Sequence, residues 1–428
     1  MRLHRTALAA ALAAAILTPC IALGAGYGIY EQGAAPLGMA GAATASVHDA
    51  SAVFYNPASL VRLDGKQAYF GGAWLTTRNS FAGGDGYPGY GVVEQMKPGN
   101  FYPPTVYWAN HLNKTWAYGL GLNSPFGLGV DWKNPATYSG RDRVTKADLR
   151  TINGNFSLSW ASTDRFSLGA GFDALFAGVE LNSILRKTGT GGQPLNVADV
   201  KLKSGLKPGY GYNVAMLWQP VKEWQLAGYY RSKVNVKIDD GDATFTQTAS
   251  GDTALDRVLA DSLPPSQKVA TTLRFPAMWS VGMAYHPTPE WTWEADFNWT
   301  QWTAFDKLDL NFATSPEKSQ SIVEDYRDSY RINIGAEHRL PKFTYRFGYY
   351  FDQAAAPDES VTPLLPDANR HGATLGLGWK MGERWWVDVY NLSLFVQNRS
   401  TNLKNRDHYD GTYKAYVNAF GLSLAYHW

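Results

Sequence analysis

The feature that most restricts this chain is an alternation of large apolar with small or polar residues, recurring from about residue 66 to the carboxyl end. In 420–428, Phe420, Leu422, Leu424, Tyr426 and Trp428 alternate with Gly421, Ser423, Ala425 and His427. The same period appears at Phe166, Leu168, Phe172 and Phe176, at Tyr210, Tyr212, Val214, Met216 and Trp218, and at Phe343, Tyr345, Phe347 and Tyr349. It returns at Leu375, Leu377 and Trp379, and on the odd positions Leu273, Phe275, Trp279, Val281, Met283 and Tyr285. A period of two sets one strand face in an apolar medium and the other in a polar one. Each run has about the length needed to cross a bilayer at a tilt. A soluble sandwich would need a second layer over so many oily faces; a wall between lipid and a polar lumen needs none.

The connections alternate too. Short polar turns at 113–114, 162–164, 221–223, 288–290, 340–342 and 381–383 are each followed closely by an aromatic: Trp116, Phe166, Trp224, Trp291, Phe343 and Trp385. Amphipathic rings repeated at one level read as an interfacial girdle. Longer loops lie at roughly 79–100, 131–145, 184–208, 239–268, 305–327, 354–369 and 399–411. Six turns and seven loops predict an all-β chain: a 14-stranded antiparallel transmembrane β-barrel whose last strand pairs with its first. The 14% aromatic content, 42 glycines and 18% charged residues fit such a wall better than a soluble domain.

The amino terminus has Arg2 and Arg5 before a short apolar run, with Ala22 and Gly24 ahead of a cut between Gly24 and Ala25. Residues 1–24 read as an export signal. Cys20, the only cysteine, follows Pro19, a poor fit to a lipoprotein site. Residues 25–65 lack the period of two and are rich in Ala, Gly and Ser. Their apolar content (Ile29, Leu37, Phe54, Leu60) argues against a disordered tail. They read as an N-terminal hatch filling the lumen, with the barrel at 66–428. Asn56-Pro57-Ala58 is a helix-start signal: Asn caps and Pro fits the first position.

A formal net charge of +2 argues against a nucleic-acid binder. No cofactor or metal motif is present, and no enzyme is expected. His286 and His371 are the candidates by type for a lipid hydrolase. Arg274, Arg331 and Arg346 are expected to face the lumen and pair with carboxylates. The segment Ser124, Pro125, Phe126, Gly127, Leu128 and Gly129 breaks a strand, because Pro125 has no N–H and the glycines weaken pairing. Two readings stay open: a deliberate kink opening the wall, or a strand already beyond the bilayer, as expected also for Pro276.

The AGYGIYEQG start at Ala25, the Asn56–Ala58 triplet, the SPFGL bend, LGAGFDALFA (168–177), FPAMWSVGMAY (275–285) and YRINIG (330–335) together resemble the long-chain fatty acid transporter (FadL) family, which includes aromatic-hydrocarbon importers. The likeness covers essentially the whole mature sequence. It implies an outer-membrane barrel of a Gram-negative cell that passively imports hydrophobic molecules. Its partners would be those molecules, outer-membrane lipid and the barrel-assembly machinery. Capture by external loops at 184–208 and 239–268 would involve Leu255, Val258, Leu259 and Leu263. Movement of Ala25, Gly26 and Tyr27 would be linked to release through the kinked third strand. Where the family has a basic carboxylate contact, this chain has Ser183, with Arg186 and Lys187 nearby. That departure leaves fatty acid and neutral hydrocarbon both open. A general aqueous porin is the competing reading, opposed by the hatch-like segment and Pro125.

Overall fold

The computed structural model describes residues 25–428; the predicted signal lies outside the described residues. The wall is formed by β1 (Gln67–Gly83), β2 (Pro104–His111), β3 (Trp116–Asn123, resuming at Gly127–Asp131), β4 (Lys146–Thr163) and β5 (Phe166–Thr188). It continues through β6 (Lys207–Val221), β7 (Trp224–Arg231 and Val234–Gln247), β8 (Gln267–Phe275 and Met278–Thr288), β9 (Trp291–Thr300) and β10 (Ser329–Arg339). β11 (Phe343–Asp352), β12 (Arg370–Met381), β13 (Trp385–Val396) and β14 (Gly411–His427) complete it. Neighbours are antiparallel, and β14 pairs with β1 over the whole 17-residue length of each, from Gln67↔His427 to Gly83↔Gly411. The sheet is therefore a closed barrel of fourteen strands, in which the first and last strands pair with each other.

The outward rows are apolar and bare: Leu375 is 71% exposed, Val281 63% and Phe172 51%. In a soluble protein such a surface would be an aggregation hazard; against hydrocarbon it is the matching face. The lower inward rows are polar, with Asn153, Asn155, Ser157 and Asp173 all buried. The six short turns stand where the alternation places them, and rings gather above them. Trp224 stacks on Tyr285 at 4.5 Å, Trp385 meets Tyr426 at 4.5 Å and Trp108 meets Trp428 at 5.1 Å.

The opposite end is more regular than its sequence suggests. β5 runs on to Thr188 and returns as a strand, Pro194–Lys203, which pairs with both β5 and β7. β7 continues to Gln247, followed by a helix, α3 below (Thr253–Ser262). The segment between β9 and β10 holds a hairpin, Lys307–Phe312 with Gln320–Val323. Expecting loops here overlooked that strands can continue beyond the bilayer once charged residues replace apolar ones on their outer face.

Three strands are interrupted near one level: β3 between Asn123 and Gly127, β7 between Arg231 and Val234, and β8 between Phe275 and Met278. On β7 and β8 the breaks face each other, since Arg231 pairs with Met278 and Val234 with Phe275. Each break turns its strand by one residue, so Arg231 and Val234 are both buried on the inner side. This corrects the expected orientation of Arg274. Leu273 and Phe275 point inward, and Arg274 turns outward to Asp306 and Asp309 at 3.5 and 3.6 Å. The alternation 273–285 reads as one face, but the break at Pro276-Ala277 shifts its phase. Of the other two arginines, Arg346 pairs with Glu337 and Asp388 at 2.5 and 2.6 Å. Arg331 instead lies over the Tyr30 ring at 3.7 Å.

Residues 25–63 are almost wholly buried inside the wall. They form α1 (Ala34–Gly38), α2 (Ala52–Tyr55) and a 3-10 turn at Pro57–Arg62. Gly65, at φ +60°, turns the chain into β1 with the Trp428 carbonyl against it, a place where a Cβ would meet that oxygen at 2.7 Å.

Candidate functional site

The hatch is held by barrel side chains that satisfy its backbone. Asp296 Oδ2 accepts from the amides of Ala43 and Thr44 at 3.0 Å each, and from Thr44 Oγ1 at 2.8 Å. Glu294 accepts from the amides of Ala45 and Ser46 at 2.6 and 3.0 Å. A segment with little regular structure cannot pair its own N–H groups, so the wall must do it. Asn56 behaves as its cap signal suggests: Oδ1 accepts from Ala58 N at 3.0 Å, and Nδ2 donates to the Thr44 carbonyl at 2.7 Å. The Ala58 carbonyl accepts from Ser159 Oγ at 3.0 Å and Ser167 Oγ at 2.8 Å. Pro57 and Ala58 press on Gly169, where a Cβ would stand 2.5 Å from Ala58 N; only glycine admits the turn so close to β5.

At its amino end the hatch joins the wall itself. Ile29 N donates to the Pro125 carbonyl at 2.8 Å and Gly127 N to the Tyr27 carbonyl at 2.9 Å, an antiparallel bridge centred on Gly28 and Phe126. Gln32 Nε2 donates to the Ser124 carbonyl at 2.9 Å. On the far side Phe126 N donates to Thr151 Oγ1 at 3.1 Å, and the threonine hydroxyl donates back to the Phe126 carbonyl. β2 pairs with β3 as far as Val106↔Leu122, and contact resumes only beyond the bend, at Met96↔Trp132. Between these points the hatch occupies the place of the missing ladder partner. Ser124–Gly127 is thus brought against Tyr27–Ile29; Leu128 and Gly129 return to regular pairing with Leu149 and Asp148 of β4.

Tyr27 sits in a box of rings: Trp302 at 4.7 Å, Phe305 at 5.3 Å, and Phe126 and Phe275 at 6.0 Å each. Its hydroxyl donates to the Arg274 carbonyl at 2.8 Å. Gly26 lies against Trp302, and the Ala25 amide donates to Asp352 Oδ2 at 2.8 Å. Trp302, Phe305 and Tyr326 come from the long segment after β9. Their aromatic density (Trp299, Trp302, Phe305) was the available signal, and nothing in its spacing points to Tyr27.

Above the box the lumen is oily. Val179, Leu181, Leu202, Ile238, Leu273 and Leu310 line a narrow, mainly apolar cleft that Lys203 and Ser204 also border. Outside, α3 (Thr253–Ser262) is capped by Asp252, whose Oδ1 accepts from the amides of Ala254 and Leu255 at 3.1 Å. Its Oδ2 accepts from Thr190 N and Oγ1 at 2.7 Å each, tying one outer hairpin to the other. The Thr190 bonds and then the capping amides hold this carboxyl down at about 2. Leu259 of the helix is buried, Leu255 and Leu263 are half-buried, and Val258 is bare. Arg186 and Lys187 stand at the tip of β5, with Arg186 reaching Tyr87 Oη at 3.5 Å, and neither lines the cleft. Ser183, opposite Val200, is half-buried. His286 contacts Thr292 and Gln225 at 3.0 Å each, and His371 contacts Tyr349 and Gln397 at 2.6 and 3.2 Å. Neither has a serine among these partners.

Fold and hatch define the class: an outer-membrane β-barrel whose lumen is filled by its own amino-terminal segment. Residues 15–428 match the family described as outer membrane protein transport protein (OMPP1/FadL/TodX), and the chain belongs to that family. It is 24% identical over 412 residues to the long-chain fatty acid transport protein of Escherichia coli (strain CFT073), covering 90% of this chain and 89% of that protein. It is 26% identical over 435 residues to the 47 kDa outer membrane protein of Pasteurella multocida, covering 99% and 98%. Among solved structures, a Pseudomonas aeruginosa FadL homologue superposes with a TM-score of 0.81 at 22% identity, covering 94% of this chain and 100% of that one. The Pseudomonas putida toluene transporter TodX gives 0.72 at 17%, covering 93% and 98%.

Proposed function

We propose that this protein imports hydrophobic small molecules across the outer membrane, fatty acids or aromatic hydrocarbons, and releases them sideways through the bend in β3. The observation that carries this reading is the bridge between Tyr27–Ile29 and Pro125–Gly127. Whatever displaces the amino terminus from its ring box also removes the backbone partners that fill the gap beside β3. Capture at α3 and the outer hairpins, with Leu255, Val258, Leu259 and Leu263 as the apolar surface, would feed the cleft above the box. A molecule bulky enough to need the box would expel Tyr27 and open the wall beside it.

Burial supplies the binding energy, about 0.8 kcal/mol for each methylene that leaves water. Transfer onward into lipid is close to neutral, so no coupled energy source is required. Relatives named for long-chain fatty acid and for toluene transport support both substrate classes. The apolar lining of the cleft favours a neutral chain or ring. A fatty acid would have to keep its carboxylate at the edge of the cleft, toward Lys203, or further out toward Arg186 or Lys187.

The test compares uptake of labelled oleate with labelled toluene in cells carrying this protein as their only such channel. Uptake of either that falls sharply when Pro125→Val and Gly127→Ala are combined supports the sideways route. Uptake of neither, with passage of small sugars instead, sinks the importer reading in favour of an aqueous porin.

A further inference from the structure

One open groove lies outside the lumen, on the outer wall, where a hydrocarbon importer has no evident use for it. Lys146 of β4 and Lys201 and Lys203 of the return strand 194–203 all reach one carboxylate, that of Glu180 on β5, at 3.2, 3.5 and 3.9 Å. Beside them Lys268 pairs with Asp242 at 2.5 Å. Lys201, Lys203, Lys268 and Asp242 are among the residues lining an open groove of about 610 Å³. Three of these four ammonium groups share the single carboxylate of Glu180. Lys268 meets Asp242 and, at 3.3 Å, the Asp240 carbonyl, the Asp240 carboxylate being paired with Lys207 at 2.6 Å. All four lysines keep much of their side chains in solvent.

The ladder fixes the height of this cluster. On β4 and β5 the outward pair Ile152↔Phe176 is apolar; the next outward pairs are Arg150↔Gly178, Asp148↔Glu180 and Lys146↔Asn182. Both strands change from oily to charged at the same rung, which marks the edge of the hydrocarbon. The step from Phe176 to Glu180 covers roughly 13 Å of strand, or about 10 Å along the membrane normal at the usual tilt. Further down the same outer face, Tyr210 stacks on Phe172 at 5.8 Å, well inside the apolar band. The cluster therefore stands in the headgroup layer of the outer leaflet, facing lipid.

Exposed lysines are most often merely solvated. Here three converge on one carboxylate and leave a surplus of positive charge beside a groove at the depth where lipid phosphates lie. We propose that this patch binds the phosphate of an anionic outer-leaflet lipid, with Lys146, Lys201, Lys203 and Lys268 donating to its oxygens while the acyl chains lie along the β4–β6 face. Basic pockets at membrane interfaces recognise lipid headgroups by this combination of charge and depth. Glu180 and Asp242 hold the ammonium groups apart and in place when no phosphate is present. The proposal concerns the outer face of the wall; Lys203 also borders the cleft, whereas Lys146, Lys201 and Lys268 do not line it.

The test uses the full folded barrel in neutral detergent, mixed with a bis-phosphorylated lipid A or with its dephosphorylated form, and counts retained lipid by native mass spectrometry. The parent should retain the phosphorylated lipid at least about 10-fold better than the dephosphorylated one. Lys146→Gln, Lys201→Gln and Lys203→Gln combined should bring the two to the same low level, and the three Lys→Arg changes should restore the preference. Heat-modifiable migration verifies that each variant is folded. If the triple Gln protein does not fold, Lys203→Gln alone should lower retention, and salt at about 0.5 M should weaken it in the parent. Equal retention of both lipids by the parent, or undiminished preference in a folded Gln variant, overturns the proposal.

Discussion

Gly127 N lies 2.9 Å from the Tyr27 carbonyl, so a residue of the wall takes a hydrogen bond partner from the hatch rather than from the neighbouring strand. Straightening β3 should therefore sever wall from hatch. With Pro125→Val and Gly127→Ala, a donor returns at 125 and the strand stiffens. The barrel should assemble normally. Substrate should still bind, while delivery to the membrane falls at least about 10-fold, which corresponds to about 1.4 kcal/mol in the rate-limiting step. Radiolabel uptake beside a binding assay on the same preparation separates the two effects.

Tyr27→Ala should empty the ring box. The expected loss is about 3–5 kcal/mol of local packing, far too little to unfold a closed barrel but enough to free the amino terminus. Single-channel recordings should then show longer or more frequent openings than in the parent. Unchanged recordings would mean that the bridge to Pro125, and not the box, holds the hatch.

Asp296→Ala removes the acceptor for the Ala43 and Thr44 amides and leaves two buried donors unpaired, at about 1–3 kcal/mol each. Faster hydrogen exchange confined to residues 40–46 is the expected outcome. Exchange spreading around the wall would instead mark Asp296 as a barrel residue first.

Glu324, in the segment between β9 and β10 outside the membrane, is pushed up to about 8 by burial, and by Asp407 nearby. A carboxyl with a raised folded-state value is stable while neutral. Its contribution is intact below its unfolded value, near 4.5, and is lost progressively as pH rises through 8. Glu324→Gln should therefore stabilise the outer segment at pH 9 and change little at pH 4. The limit is roughly 5 kcal/mol, read as protection of residues 301–328 from proteolysis.

Deleting Phe420–Trp428 removes the rungs that pair with the Gln67–Trp74 half of β1 and opens the cylinder at its seam. The product should lack heat-modifiable migration and stay out of the outer membrane. Normal assembly would contradict closure by this strand.

The wall was legible because each strand faces two media, and Leu422 or Phe172 must obey that division wherever the chain runs. The turns were legible because an aromatic follows each. The hatch was legible only as an exception: its small residues announce close packing, but Asp296 and Glu294, which hold it, look like any inward polar pair of a strand. Arg274 has the opposite parity to Trp279, so the alternation places it on the other face, while the backbone slips by one residue between them and turns both outward. The three lysines on Glu180 come from two strands, Lys146 from β4 and Lys201 and Lys203 from 194–203, and meet on a third only through register. Trp302 reaches Tyr27 through a long connection whose path has no periodic signature.

The one-residue slips in β3, β7 and β8 also reverse the sense of the wall. Below them, lipid touches Val281 and Leu120 while polar side chains line the lumen. Above them, Val236, Ile238, Leu273 and Phe275 are turned to the interior, and Lys268 and Arg274 to the outside. The barrel is thus two tubes of opposite polarity joined end to end, the outer one built like a soluble protein and the inner one like its inverse. A greasy molecule is at home inside the first and outside the second, and nowhere in the polar lumen beneath. On the proposed route its apolar path crosses from the inner surface to the outer at the joint, where Pro125 interrupts β3.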